Sequence, residues 1–104
     1  MNDLHTYETV LIINEKNENS REKIDKIGKI LTKHGGAITN IEKWGIKKLA
    51  YPVEKNNIKY NEGYYITYFF ANNPENISEL QKELTNQNDV IKFLICDTTD
   101  KWND

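Results

Sequence analysis

Apolar residues along the chain fall into two kinds of spacing, and the switches between them predict the element order. Tyr7 to Ile13 is a dense apolar and β-branched run closed by Asn14 and a polar loop through Asn19, the pattern of a buried strand. Asn19 stands in an N-cap position with Glu22 three residues on. Ile24, Ile27, Leu31 and His34 then recur at helical spacing until Gly35-Gly36 stops the turn. From Ala37 the pattern returns to alternation. Ile38, Ile41, Ile46, Leu49 and Val53 predict a long second strand, bent near Trp44-Gly45, whose far end Pro52 confines to a sheet edge. A polar hairpin connection is expected between Asn56-Asn57 and Asn61-Glu62-Gly63, and Tyr64 to Ala71 reads as a third strand. Asn73-Pro74 caps and opens a second helix, which carries Ile77, Leu80 and Leu84 and ends around Asn86 to Asp89. Val90 to Cys96 predicts the last strand, and the polar, acidic stretch from Asp97 to Asp104 predicts a loose tail.

Strand, helix, strand, strand, helix, strand is the α+β, ferredoxin-like split βαβ plan. Right-handed crossovers put both helices on one face of a four-stranded antiparallel sheet and leave the other face without cover from the chain. At 104 residues there is room for one domain, expected over residues 1–97 with a short tail over 98–104. Folding at this size removes only ~60–70% of the unfolded chain's surface from water, so an open face is affordable. With Tyr7, Thr9, Leu11 and Ile13 turned to the helices, alternation sends Glu8, Val10 and Ile12 to the open face, joined by Lys92, Leu94 and Cys96. A partly apolar open face implies a partner, and Glu8, Val10, Ile12 and Leu94 are the candidate partner-protein contacts.

Little catalytic chemistry is available. The chain has no P-loop, nucleophile elbow, dinucleotide glycine fingerprint or helix-borne histidine pair, so no enzyme, cofactor or metal is expected. His34 falls where a cation favours the end of a helix. Cys96, the single cysteine, excludes an intramolecular disulfide or a cysteine-rich zinc cluster, reads as a small apolar strand residue, and fits a reducing cytosol. No basic leader or membrane span is seen, which predicts a soluble intracellular protein. Acylphosphatases share this element order. Arg21 lies near the place of their phosphate-binding arginine, but the Asn17-Glu18-Asn19-Ser20 loop is acidic and lacks the glycine cradle.

Charge alters the picture once it is resolved along the chain. The whole carries −2, which argues against a polycation that coats nucleic acid. Lys43 to Lys59, however, holds five lysines against Glu54, so this segment carries +4 and the remainder −6. Eight of the eleven aromatics, among them Trp44, Tyr51, Tyr64, Tyr65 and Phe69, lie in or just beyond it. Lysines reach phosphates and aromatic rings stack on unpaired bases, which is the combination single-stranded RNA requires. Core packing of the aromatics and protection of an edge strand by lysine account for the same spacing. An RNA recognition motif does not: Glu62 to Phe69 fails its third-strand consensus at the leading basic, the small fourth and the aromatic fifth positions.

Trp44-Gly45-Ile46-Lys47-Lys48-Leu49-Ala50-Tyr51-Pro52-Val53-Glu54-Lys55 resembles the signature of the bacterial small-subunit ribosomal protein six family: glycine, two basics, leucine, alanine, tyrosine, and an aliphatic two places on. The similarity extends to Tyr7-Glu8, Gly35-Gly36, Gly63-Tyr64-Tyr65 and the aliphatic last strand. It implies a non-enzymatic, ferredoxin-like protein of the cytoplasmic ribosome that binds small-subunit rRNA together with small-subunit ribosomal protein eighteen. Lys47, Lys48 and Tyr51 are the motif positions, and Lys43, Trp44, Lys55 and Lys92 complete the expected rRNA contacts. The connection from Asn56 to Glu62 is longer than the family usually has. The alternative class is a ligand-sensing or protein-docking module of the same fold with no RNA role.

Overall fold

A computed structural model describes residues 4–18 and 21–99. The elements are β1 (His5–Ile13), α1 (Glu22–Lys33), β2 (Ala37–Lys55), β3 (Ile58–Asn72), a 3-10 turn (Pro74–Asn76) running into α2 (Ile77–Thr85), and β4 (Val90–Asp97). The sheet is antiparallel throughout with order β2-β3-β1-β4, so β2 and β4 are the edges and the expected ferredoxin-like plan is the one observed.

The two faces differ as alternation requires. Tyr7, Thr9, Leu11 and Ile13 of β1 are buried with Tyr64, Ile66, Tyr68 and Phe70 of β3 against Ile24, Ile27, Leu31, Leu80 and Leu84 of the helices. Each fully buried aliphatic side chain contributes about 1.5–3 kcal/mol relative to exposure. The polar groups drawn into this layer have partners. Tyr68 Oη donates to the Ile24 carbonyl at 2.6 Å, and Thr9 Oγ1 donates to the Leu94 carbonyl at 3.0 Å. Asn72, buried at the end of β3, donates to the His34 carbonyl at 3.0 Å and accepts from the Asn73 N–H and Asn76 Nδ2, joining the C-terminus of α1 to the start of α2. Gly35, at φ +87°, makes the left-handed turn that ends α1.

Three local expectations change. The segment from Asn56 to Glu62 is not a loop. Asn56 and Asn57 take φ of 52° and 67°, forming a two-residue turn with both residues left-handed, and pairing resumes at once with Lys55 opposite Ile58. β3 therefore starts at Ile58, six residues before Tyr64, because asparagine tolerates the left-handed region and no longer connection is needed. The irregular stretch lies on the other strand, where Leu49, Ala50, Tyr51 and Pro52 oppose Asn61 alone. The expected loose tail is also corrected at its start: Asp97 completes β4, and Thr98 is buried with its N–H and hydroxyl on the Thr6 carbonyl at 2.8 and 3.1 Å. Thr99 Oγ1 accepts the Thr6 N–H at 3.0 Å. Finally, Arg21 is the residue that precedes the first turn of α1, without a side-chain cap bond, while the expected Asn19 cap and residues 100–104 of the tail lie outside the described residues.

Candidate nucleic-acid and partner interface

The register assembles the open face from three strands. Val10 pairs with Leu94 on one side and Thr67 on the other; Glu8 lies between Cys96 and Phe69, and Ile12 between Lys92 and Tyr65. All four partner-contact candidates, Glu8, Val10, Ile12 and Leu94, thus share one surface with Lys92. Leu94 is 63% and Val10 39% exposed, large values for apolar side chains in the middle of a sheet. Tyr65 and Phe69 belong to this surface too. They escape prediction because both faces of β3 are nearly equally apolar, and their signal is the pairing opposite Ile12 and Glu8.

β2 bends where Trp44-Gly45 predicts it. A bulge separates Lys43, opposite Ile66, from Gly45, opposite Tyr65, and Gly45 has φ +84°. Glu18, from the β1–α1 loop, accepts the Ile46 N–H at 3.0 Å and so fastens the bulged backbone, a role no sequence spacing announces. The bend lays Trp44 over the open face: its Nε1 donates to Thr67 Oγ1 at 3.2 Å, and Lys47 Nζ stands 5.7 Å above the ring. Trp44 remains 54% exposed.

The seven residues expected at rRNA are therefore not one cluster. Trp44, Lys47 and Lys92 lie on the open face, with Lys47 opposite Gly63. Lys43 and Lys48 take the other register face of the edge strand, and Tyr51, 71% exposed, stands on the irregular stretch. Among the described residues, no carboxylate pairs with Lys43, Lys47, Lys48 or Lys59. Lys55 differs. Its ammonium donates to the backbone carbonyls of Thr85, Gln87 and Val90, and burial lowers its pKa. Of the aromatics weighed for base stacking, Tyr64, Tyr68 and Phe70 are core. His34 bridges the helices instead of facing a site, its Nε2 2.7 Å from Glu83 Oε1, and Lys33 Nζ joins the same oxygen at 3.1 Å.

Residues 6–97, which span the whole sheet and both helices, match the family described as Ribosomal protein S6. The chain belongs to that family. It is 35% identical over 94 residues to the small ribosomal subunit protein bS6 of Clostridium novyi, covering 88% of this chain and 95% of the relative. The bS6 of Caldanaerobacter subterraneus is 33% identical over 99 residues, covering 93% of this chain and 100% of the relative. The crystal structure of 30S ribosomal protein S6 from Thermotoga maritima superposes with a TM-score of 0.80 at 26% identity, covering 97% of this chain and 94% of that one. A member of the S6 family is a structural protein of the small ribosomal subunit and not an enzyme, so the acylphosphatase-like alternative around Arg21 falls.

Proposed function

We propose that this chain acts in the cytoplasmic small ribosomal subunit, binding small-subunit rRNA as a heterodimer with small-subunit ribosomal protein eighteen. The observation that carries the reading is the adjacency of two surfaces: the uncovered face around Val10, Ile12 and Leu94, and the edge strand presenting Lys43, Lys47 and Lys48 beside it. Trp44 spans the border between them.

Charge explains why two proteins are needed. Phosphate neutralisation drives most of the affinity for RNA, and a chain of net −2 with a handful of free lysines neutralises few phosphates. A basic partner seated on the open face adds charge next to β2 and removes Val10 and Leu94 from water in the same step. The pair therefore binds rRNA far more tightly than this chain alone.

Filter binding of a small-subunit rRNA transcript, with and without the partner, tests this directly. Val10→Asp with Leu94→Asp should abolish the partner-dependent gain while leaving the fold intact, since both side chains are exposed. Equal affinities with and without the partner would sink the cooperative account. Failure of the native protein to sediment with small subunits on a sucrose gradient favours the docking-module alternative.

A further inference from the structure

The distal half of the β2–β3 hairpin has no third strand. β3 pairs with β1 only from Tyr64, opposite Ile13, so Ile58–Gly63 and the facing part of β2 form a two-stranded ribbon beyond the sheet. Such a ribbon is marginal by itself in water. The four residues of the irregular stretch interrupt its ladder further.

Lys55, the last residue of β2, holds this ribbon from its tip. Its ammonium has three protons and three carbonyl acceptors: Thr85 at 3.2 Å, Gln87 at 2.8 Å, and Val90. Thr85 is the final residue of α2, where the helix presents unsatisfied carbonyls and the negative end of its dipole. Beside it, Asn56 Nδ2 donates to Asn88 Oδ1 at 3.0 Å. A side chain whose donors are all spent on the backbone of a distant loop has none left for a phosphate.

We propose that Lys55 is a positioning residue rather than an rRNA contact: it clasps the ribbon to the α2–β4 connection and thereby fixes the orientation in which Lys47, Lys48 and Tyr51 are offered. The rRNA consequence rests on the proposed function; the clasp does not.

Lys55→Met keeps the length of the stem and removes the charge and donors, and Lys55→Arg keeps donors for the same carbonyls. Two readouts separate the roles: amide hydrogen exchange across Ile58–Glu62 and residues 86–90, and the salt dependence of transcript binding by the heterodimer. Bonds from a charged donor support an exchange acceleration of about ten- to a hundredfold in both segments for Lys55→Met. Transcript affinity should fall several-fold with an unchanged salt slope, and Lys55→Arg should restore most of both. A slope flattened by about 0.7–0.9 with exchange unchanged marks a phosphate contact and overturns the proposal. Unchanged exchange overturns the clasp, and faster exchange with full affinity overturns the positioning role. If the wild-type pair does not bind the transcript, the proposed function fails while exchange still decides the clasp. Should Lys55→Met not fold, exchange is read in Lys55→Gln, which removes the charge and shortens the reach to the three carbonyls; an unaltered ribbon there also overturns the clasp.

Discussion

Gly63→Ala tests how tightly the open face is built. Gly63 lies opposite Lys47 where the ribbon enters the sheet. A Cβ there would collide with Ile12 Cγ2 and stand 3.2 Å from Ile91 Cδ1 and 3.3 Å from the Ile13 carbonyl oxygen. The carbonyl is backbone and Ile91 is buried, so Ile12, half-buried on the open face, must yield. Forcing a methyl into a filled site costs about 1–3 kcal/mol. Replacing glycine restricts the unfolded chain and returns about 0.4–1 kcal/mol. The net loss is about 0–2.6 kcal/mol, and its mid-range of about 1.3 kcal/mol lowers Tm by about 5–10 °C for a domain of this size in a calorimetric scan. The cause is checked by pairing the change with Ile12→Ala, which vacates the contested volume. The two substitutions should be non-additive, the double variant recovering about 1 kcal/mol or more of the summed losses. Strictly additive effects of the two substitutions would refute the packing assigned to this point.

Lys47→Ala and Lys48→Ala should each flatten the salt slope of transcript binding by about 0.7–0.9 with Tm nearly unchanged; only Lys47→Ala, on the face of Trp44 and Val10, should also weaken partner docking in calorimetry. A collapse of Tm in either would make the lysine structural. Tyr68→Phe removes the buried donor to the Ile24 carbonyl and should cost about 1–2 kcal/mol in urea unfolding, whereas no measurable loss would deny that bond. Asp97 is held at about 2, below its ordinary 3.8, by hydrogen bonds from Thr99 and His5. Because the folded value is depressed, its stabilisation is complete above 3.8 and is lost as pH falls through about 2. The stability difference between wild type and Asp97→Asn should be present at pH 5 and close as pH falls toward 2; a difference that does not change between pH 5 and pH 2 would remove the charge from the explanation.

The elements that sequence reveals here are those whose burial has a period. β1 alternates so cleanly that Tyr7, Thr9, Leu11 and Ile13 are assigned inward and Val10 outward without coordinates, and the pairing of Val10 with Leu94 follows once the order of strands is known. Trp44-Gly45 gives away the bend because a glycine in a strand has few other uses. Hairpin geometry is less legible. Asn56-Asn57 and Asn61-Glu62-Gly63 carry equal turn chemistry, and only the pairing register distinguishes the true turn from strand residues. Lys55 is illegible for a different reason: its acceptors are main-chain carbonyls about thirty residues away, which have no sequence identity at all. Composition groups it with the other lysines of the segment, whereas its ammonium is held by those carbonyls.

The edge position of β2 reconciles the two explanations open for its lysines. An unpaired strand edge must be defended, and β2 does so with a bulge at Trp44-Gly45, an irregular stretch at Leu49–Pro52, and Lys43, Lys47 and Lys48 between and beside them. Adjacent Lys47 and Lys48 point to opposite faces by alternation alone, and the bulge at Trp44-Gly45 puts Lys43 on the face opposite Lys47, so the cations emerge on both faces of the edge. A strand modified in this way cannot template another strand, yet it presents charge over a wide arc to a polyanion approaching from outside the sheet. Under the proposed function, defence of the edge and attraction of phosphate fall to the same residues in the same places. Lys55 is the one lysine of the segment turned back into the protein.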